Sequence, residues 1–174
     1  MKTLLSEREI HAAVDQLARR LNDDYAQQPL TLIGVMTGSF VFLADLIRLL
    51  QMPLRVGVVQ ASSYRGGTSP GQLVINAEMM PDISQRDVLV VDDIFDTGHT
   101  LVEVLRLMRE LQPASLRTVV LLLKEERQEV ELQPDYVAFR IPDAFVVGYG
   151  LDYQDQYRNL SYIAALDPAD IAGK

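Results

Sequence analysis

The sequence predicts a single α/β domain: a mostly parallel, twisted sheet flanked by helices, with a small C-terminal appendage over the carboxyl ends of the strands. Three observations point there. Apolar runs of strand length alternate with segments of helical periodicity. The run Val88-Leu89-Val90-Val91 is apolar throughout, as a parallel strand covered on both faces requires. Finally, 174 residues of which 48% are hydrophobic suffice for one sizeable core.

Ser6 with Glu9 forms a capping box, and Ile10, Val14, Leu17 and Leu21 recur at helical spacing, so an amphipathic helix opens the chain and ends before Pro29. Leu30 to Val35 is an apolar strand, Thr37-Gly38-Ser39 a tight turn, Phe40 to Leu50 a helix and Leu54 to Ala61 a valine-rich strand, which together make a βαβ unit. Ser62 to Gln72 is rich in glycine and hydroxyl residues with Tyr64 as its one large side chain, the composition of a mobile loop. A short strand follows at Leu73 to Ile75. Val88 to Val91 is the next strand, which Asp92 should end, and a helix over Thr100 to Leu111 is closed by Pro113. Thr118 to Leu123 is another buried strand. From Lys124 onward short strands mix with Gly and Pro and form the appendage.

The composition excludes several classes. Without cysteine there is no disulfide scaffold and no thiolate metal site, and two histidines cannot build an imidazole cluster, so any metal must sit on oxygen. A net charge of −8 with no dense basic run argues against a nucleic-acid partner. The apolar stretch at Thr3-Leu4-Leu5 is too short for a secretion signal, and no segment reaches the roughly 18 apolar residues of a membrane span. A soluble cytoplasmic protein with no membrane partner is the expectation.

The chemistry concentrates in the segment from Val88 to Leu101, where a buried strand runs into an acidic turn and a helix N-terminus. Open α/β sheets bind ligands at this edge. In Thr97-Gly98-His99-Thr100 the glycine permits close backbone approach, the hydroxyls donate, and the unpaired N–H groups of the next helix favour an anion such as a phosphate monoester. The common triphosphate and dinucleotide glycine motifs are missing. Just before this seat, Asp92 and Asp93 can bond a vicinal diol or hold hydrated Mg²⁺, and a diol beside a 5-phosphate is ribose 5-phosphate. The competing account is that these acids and hydroxyls only cap a helix and face solvent.

This segment resembles the phosphoribosyl-pyrophosphate signature of the type I phosphoribosyltransferases. Two further segments, Gly34 to Asp45 and Ile141 to Tyr153, sharpen the resemblance to the hypoxanthine-guanine branch, and the likeness runs from about residue 5 to residue 166. It implies the type I phosphoribosyltransferase fold, with a core over about 1–140 and a hood over about 141–166 joined by a segment near the N-terminus. It also implies that purine N9 attacks the anomeric carbon of phosphoribosyl pyrophosphate, with Mg²⁺ as cofactor, giving IMP or GMP and pyrophosphate. The substrates are thus phosphoribosyl pyrophosphate and a purine base, and the implied assembly is a homodimer or homotetramer.

The resemblance also implies the residue roles. Asp96 would be the general acid/base beside purine N7. Asp92 and Asp93 would hold the ribose hydroxyls and, with Asp152, the metal. Thr97, Gly98, His99 and Thr100 would take the 5′-phosphate. Pyrophosphate would meet Thr37, Gly38 and Arg158, the turn often containing a non-proline cis peptide. Lys124 would reach purine O6 from the edge of the site, Phe145 would stack on the base, and Val146 would offer main-chain groups. Ser63 and Tyr64 would belong to a closing lid. The chain departs from many relatives at Thr37 and Ala144, where Lys or Arg and Lys respectively are frequent, and at Asp92, where Glu is frequent. A xanthine-preferring enzyme and an RNA-binding pyrimidine regulator of the same fold are the alternatives.

Overall fold

The structure is a computed structural model and describes residues 1–63, 73–167 and 170. The chain opens with a short strand, β1 (Lys2–Leu5), followed by helix α1 (Glu7–Tyr25). The capping box forms as expected: the Ser6 Oγ accepts from the Glu9 N–H and the Glu9 carboxylate accepts from the Ser6 N–H. Ile10, Val14, Leu17 and Leu21 make the buried face of α1.

Strand β2 (Leu30–Met36), helix α2 (Phe40–Ile47) and strand β3 (Leu54–Ser63) complete the βαβ unit. A short strand, β4 (Leu73–Asn76), pairs antiparallel with the end of β3. Ser63 closes β3, whereas Tyr64 and the rest of the glycine-rich stretch, residues 64–72, lie outside the described residues.

Strand β5 (Asp87–Phe95) corrects the sequence reading, because Asp92 does not end it. Its partner β6 (Ser115–Lys124) is equally extended, and the two stay paired through Ile94 opposite Leu122 and Phe95 opposite Leu123. Inter-strand hydrogen bonds thus carry the backbone past the acids. Helix α3 (His99–Glu110) joins β5 to β6, and β7 (Tyr136–Ile141) forms the far edge. The order is β4-β3-β2-β5-β6-β7, with every pair parallel except β3 and β4.

Alternate residues of β5 sort the core into two layers. Leu89 and Val91 face α1 and α2 with Phe42 and Ile10, while Val88 and Val90 face α3 with Leu101, Val104 and Met108. A second, three-stranded antiparallel sheet sets β1 beside β9 (Ile163–Ala165) and β9 beside β8 (Val146–Val147). Among the described residues no helix is long and apolar enough to cross a membrane.

Candidate active site

The chain leaves β2 toward β3 on one side and leaves β5 toward β6 on the other, so the carboxyl ends of β2 and β5 flank a topological switch point. Such a point leaves a crevice between two diverging connections. Here it is a cavity of about 250 Å³ lined by Gly38, Asp92, Asp93, Asp96, Thr97 and Thr100 among others.

One wall is the turn after β2. The Met36–Thr37 peptide is cis, and the buried Ser39 hydroxyl donates to the Val35 carbonyl at 2.6 Å. Gly38 is required by close approach rather than by its own dihedral angles, since a Cβ there would lie 1.6 Å from Asp93 Oδ2. The other side of the turn meets Gly150, whose Cβ would fall 2.3 Å from the Gly38 carbonyl oxygen, and whose φ of 101° independently favours glycine. Thr37 and Gly38 therefore sit between an acid of the main sheet and the backbone of the C-terminal region.

Asp92 and Asp93 form the floor. The Asp93 N–H donates to Asp92 Oδ1 at 3.0 Å and the Ile94 N–H donates to Asp93 Oδ1 at 2.9 Å. Burial, followed by the neighbouring charge of Asp93, pushes Asp92 well above the usual carboxylate range. Burial also raises Asp93, against the pull of its hydrogen bonds and of the Arg158 charge. An acid that holds its proton more tightly when folded lowers stability as pH rises from its unfolded value through its folded one. Asp92→Asn should therefore raise the melting temperature of the ligand-free protein at neutral pH, and the gain should vanish as pH falls toward about 4. Thermal melts across pH check this; an asparagine variant that melts lower at pH 7 contradicts it.

The phosphate-type seat is built at the start of α3. Gly98 takes φ 90°, and a Cβ there would strike Val130 at 2.4 Å and the Phe95 ring at 2.6 Å. Gly98 caps α3 without a side-chain bond, so Asp96 is not the cap. The unpaired first N–H groups of α3 carry the positive end of its dipole toward the cavity edge that Thr97 and Thr100 line. His99 is exposed and its Nε2 lies 2.9 Å from Glu129 Oε2, while the Glu129 N–H donates to the Thr97 carbonyl at 3.1 Å. The segment after β6 thus braces this turn from outside.

Lys124 reaches the edge of the site through Asp96, and it does so as a buried side chain, only 8% accessible. It reaches Asp96 Oδ2 at 3.3 Å and Asp143 Oδ1 at 3.5 Å. Beyond this cluster Phe145 presents its ring outward, 45% exposed, with its edge contact to Tyr153 at 5.5 Å. Val146 is buried in β8. Arg158 bonds the Gly150 carbonyl at 2.8 Å and pairs with Asp152 at 2.9 Å, so Asp152 and Arg158 lie together beside the Gly38 turn. Of the expected lid, Tyr64 lies outside the described residues and Ser63 is the last residue of β3.

Four contacts escaped the sequence reading. Arg127 touches Asp96, Asp143 touches Lys124 and Glu129 touches His99 and Thr97, across 19 to 32 positions, and Gly150 meets Gly38 through backbone alone. Only Gly150 left a trace, as a second glycine two residues after Gly148.

An acid pair, a helix N-terminus and a glycine turn thus meet at one switch point, and residues 1–154 match the phosphoribosyl transferase domain. The chain belongs to that family. Within it, the chain is 40% identical to the hypoxanthine-guanine phosphoribosyltransferase of Staphylococcus aureus (strain Mu50 / ATCC 700699), over 96% of this chain and 94% of that protein. It is 42% identical to the hypoxanthine-guanine phosphoribosyltransferase of Streptococcus pneumoniae (strain ATCC BAA-255 / R6), over 95% and 92%. Among solved structures, a point mutant of the Trypanosoma cruzi hypoxanthine phosphoribosyltransferase in a ternary substrates complex superposes with a TM-score of 0.90 at 43% identity, over 99% of this chain and 98% of that one.

Proposed function

We propose that this chain is a purine-salvage phosphoribosyltransferase of the cytoplasm, moving the 5-phosphoribosyl group of phosphoribosyl pyrophosphate to N9 of hypoxanthine or guanine. The observation that carries this reading is the placement, around one cavity, of the Asp92–Asp93 pair, the Thr97–Thr100 turn and Asp96, with Lys124 paired to Asp96 and the exposed Phe145 ring two residues from Asp143, the other partner of Lys124. The first two fit a ribose 5-phosphate; the others fit a flat base bearing an oxygen acceptor.

In the reaction the bond from the anomeric carbon to pyrophosphate breaks as the N9 bond forms, giving IMP or GMP and free pyrophosphate. Asp96 accepts the proton that the purine gives up, a role for a carboxylate within hydrogen-bond reach. Lys124 donates to O6. The helix-end N–H groups with Thr97, Gly98, His99 and Thr100 hold the 5′-phosphate, and Thr37, Gly38 and Arg158 meet the departing pyrophosphate. Orientation by these groups replaces an encounter in solution.

Asp92, Asp93 and Asp152 would hold the metal ion, since they offer only carboxylate oxygen, the donor type that a hard cation such as Mg²⁺ takes. Bound Mg²⁺ would neutralise charge on the leaving group. Among the described residues no three His, Cys, Asp or Glu side chains converge as a ready cage. Likeness to the family supports a homodimer or homotetramer, which light scattering on a sizing column checks.

The test is pyrophosphate release with Mg²⁺, phosphoribosyl pyrophosphate and each of guanine, hypoxanthine, xanthine and adenine. Release with guanine and hypoxanthine is expected; release with xanthine alone would move the enzyme to the xanthine-preferring branch. No turnover together with tight, salt-sensitive RNA binding would replace it by the regulator. Phe145→Ala should raise the KM for purine about tenfold, as one base–aromatic stack is worth roughly 1–3 kcal/mol, and an exposed ring leaves the melting temperature nearly unchanged. An unaltered purine KM would remove the stacking role.

A further inference from the structure

Arg127 lies in a single 3₁₀ turn after β6, and Asp143 lies in the turn between β7 and β8. The Arg127 Nε donates to Asp96 Oδ1 at 3.1 Å, and its Nη1 lies 3.8 Å from Asp143 Oδ2. Lys124 touches the other oxygen of each acid, Asp96 Oδ2 at 3.3 Å and Asp143 Oδ1 at 3.5 Å. The four side chains thus close a ring in which every carboxylate is shared by both cations and every cation by both carboxylates.

We propose that Arg127 and Asp143 are positioning residues for the base subsite, which hold Asp96 and Lys124 at a fixed spacing and so set selectivity for 6-oxopurines. This rests on the transfer reaction proposed above. Two carboxylates balance two cations, so the buried Lys124 ammonium is compensated without a ligand, which a charge so far from water requires. Of its three donors, two are directed at Asp96 and Asp143, leaving the third for an acceptor on the base. When Asp96 turns to the purine proton, Asp143 still compensates both cations, and Lys124 keeps its place at O6. A 6-amino group offers this third donor no acceptor.

Arg127 and Asp143 are each nearly half exposed, so the ring is solvent-screened and its effect is moderate. Arg127→Ala and Asp143→Asn should each raise the KM for guanine and hypoxanthine about fivefold, with the KM for phosphoribosyl pyrophosphate changed less than about twofold. Arg127→Lys should recover most of the loss, because the charge is retained. Residues acting through one ring are not additive, so the double variant should be little worse than either single one.

The assays use the full chain with Mg²⁺, and melting temperatures accompany them. Equal loss on both substrates, additive losses in the double variant, or single variants identical to wild type would each overturn the ring's role while leaving the transfer reaction standing. A wild-type protein that releases no pyrophosphate with any 6-oxopurine would overturn both.

Discussion

Replacing Asp96 by Asn should lower turnover by about a hundredfold or more while nucleoside monophosphate binding is largely kept. Asparagine has nearly the same shape and retains one carbonyl oxygen, so a partner remains for Lys124 or Arg127, which now meet opposite oxygens of Asp96. What asparagine loses is the capacity to take a proton. The groups proposed to hold sugar and phosphate, Asp92, Asp93 and the Gly98 turn, line the same cavity but take no part in these bonds to Asp96, and need not move. Steady-state kinetics with guanine, together with calorimetric titration of GMP, separates the two effects. An unchanged turnover number would reject the acid/base role, and a loss of GMP binding equal to the loss of turnover would point to a displaced backbone.

Gly38→Ala is the second large effect. The added methyl would lie 1.6 Å from Asp93 Oδ2, inside any permissible contact, and the opposite face of the turn is already held by Gly150. Either the carboxylate swings away, breaking its bond from the Ile94 N–H, or the turn lifts from β5. Both misplace groups on the pyrophosphate side, where small displacements are costly. The KM for phosphoribosyl pyrophosphate should rise about tenfold or more. Gly34→Ala serves as the control, because its methyl would press on Leu43 at 2.7 Å and Met36 at 3.0 Å, with no acid among its three nearest neighbours. It should lower the melting temperature without a selective change in that KM. If both variants behave alike, the pressure on Asp93 has no special consequence.

Local chemistry was readable from residues wherever one segment carries its own instructions. The Ser6–Glu9 box starts α1 within four residues, and the apolar runs place the strands because their burial needs no knowledge of partners. The Gly98 turn was equally legible, since strand, turn and helix follow one another along the chain, although Asp92 and Asp93 belong to β5 rather than to the turn. Pairing across the fold was not. The extension of β5 beyond Asp92 depends on the length of β6, and the burial of Lys124 depends on Asp143, which arrives on a different connection. Gly38 was seen as a turn residue, whereas its tighter constraint comes from Asp93, 55 positions on. Arg127 sits among acids in Glu125-Glu126-Arg127, a pattern that resembles any hydrated turn until Asp96 is brought beside it.

The placement of β1 against β9 has a consequence for how the protein is made. Leu5 is matched with Ile163 and Lys2 with Ala165, and β9 in turn holds Val146, the neighbour of Phe145. Residues up to 165 must therefore be made before Lys2 to Leu5 find their partner, and segments so far apart meet late because closing long loops is entropically slow. Asp92, Asp93 and the Gly98 turn, which line the cavity, precede β9 by 65 or more positions and are made long before that pairing can form.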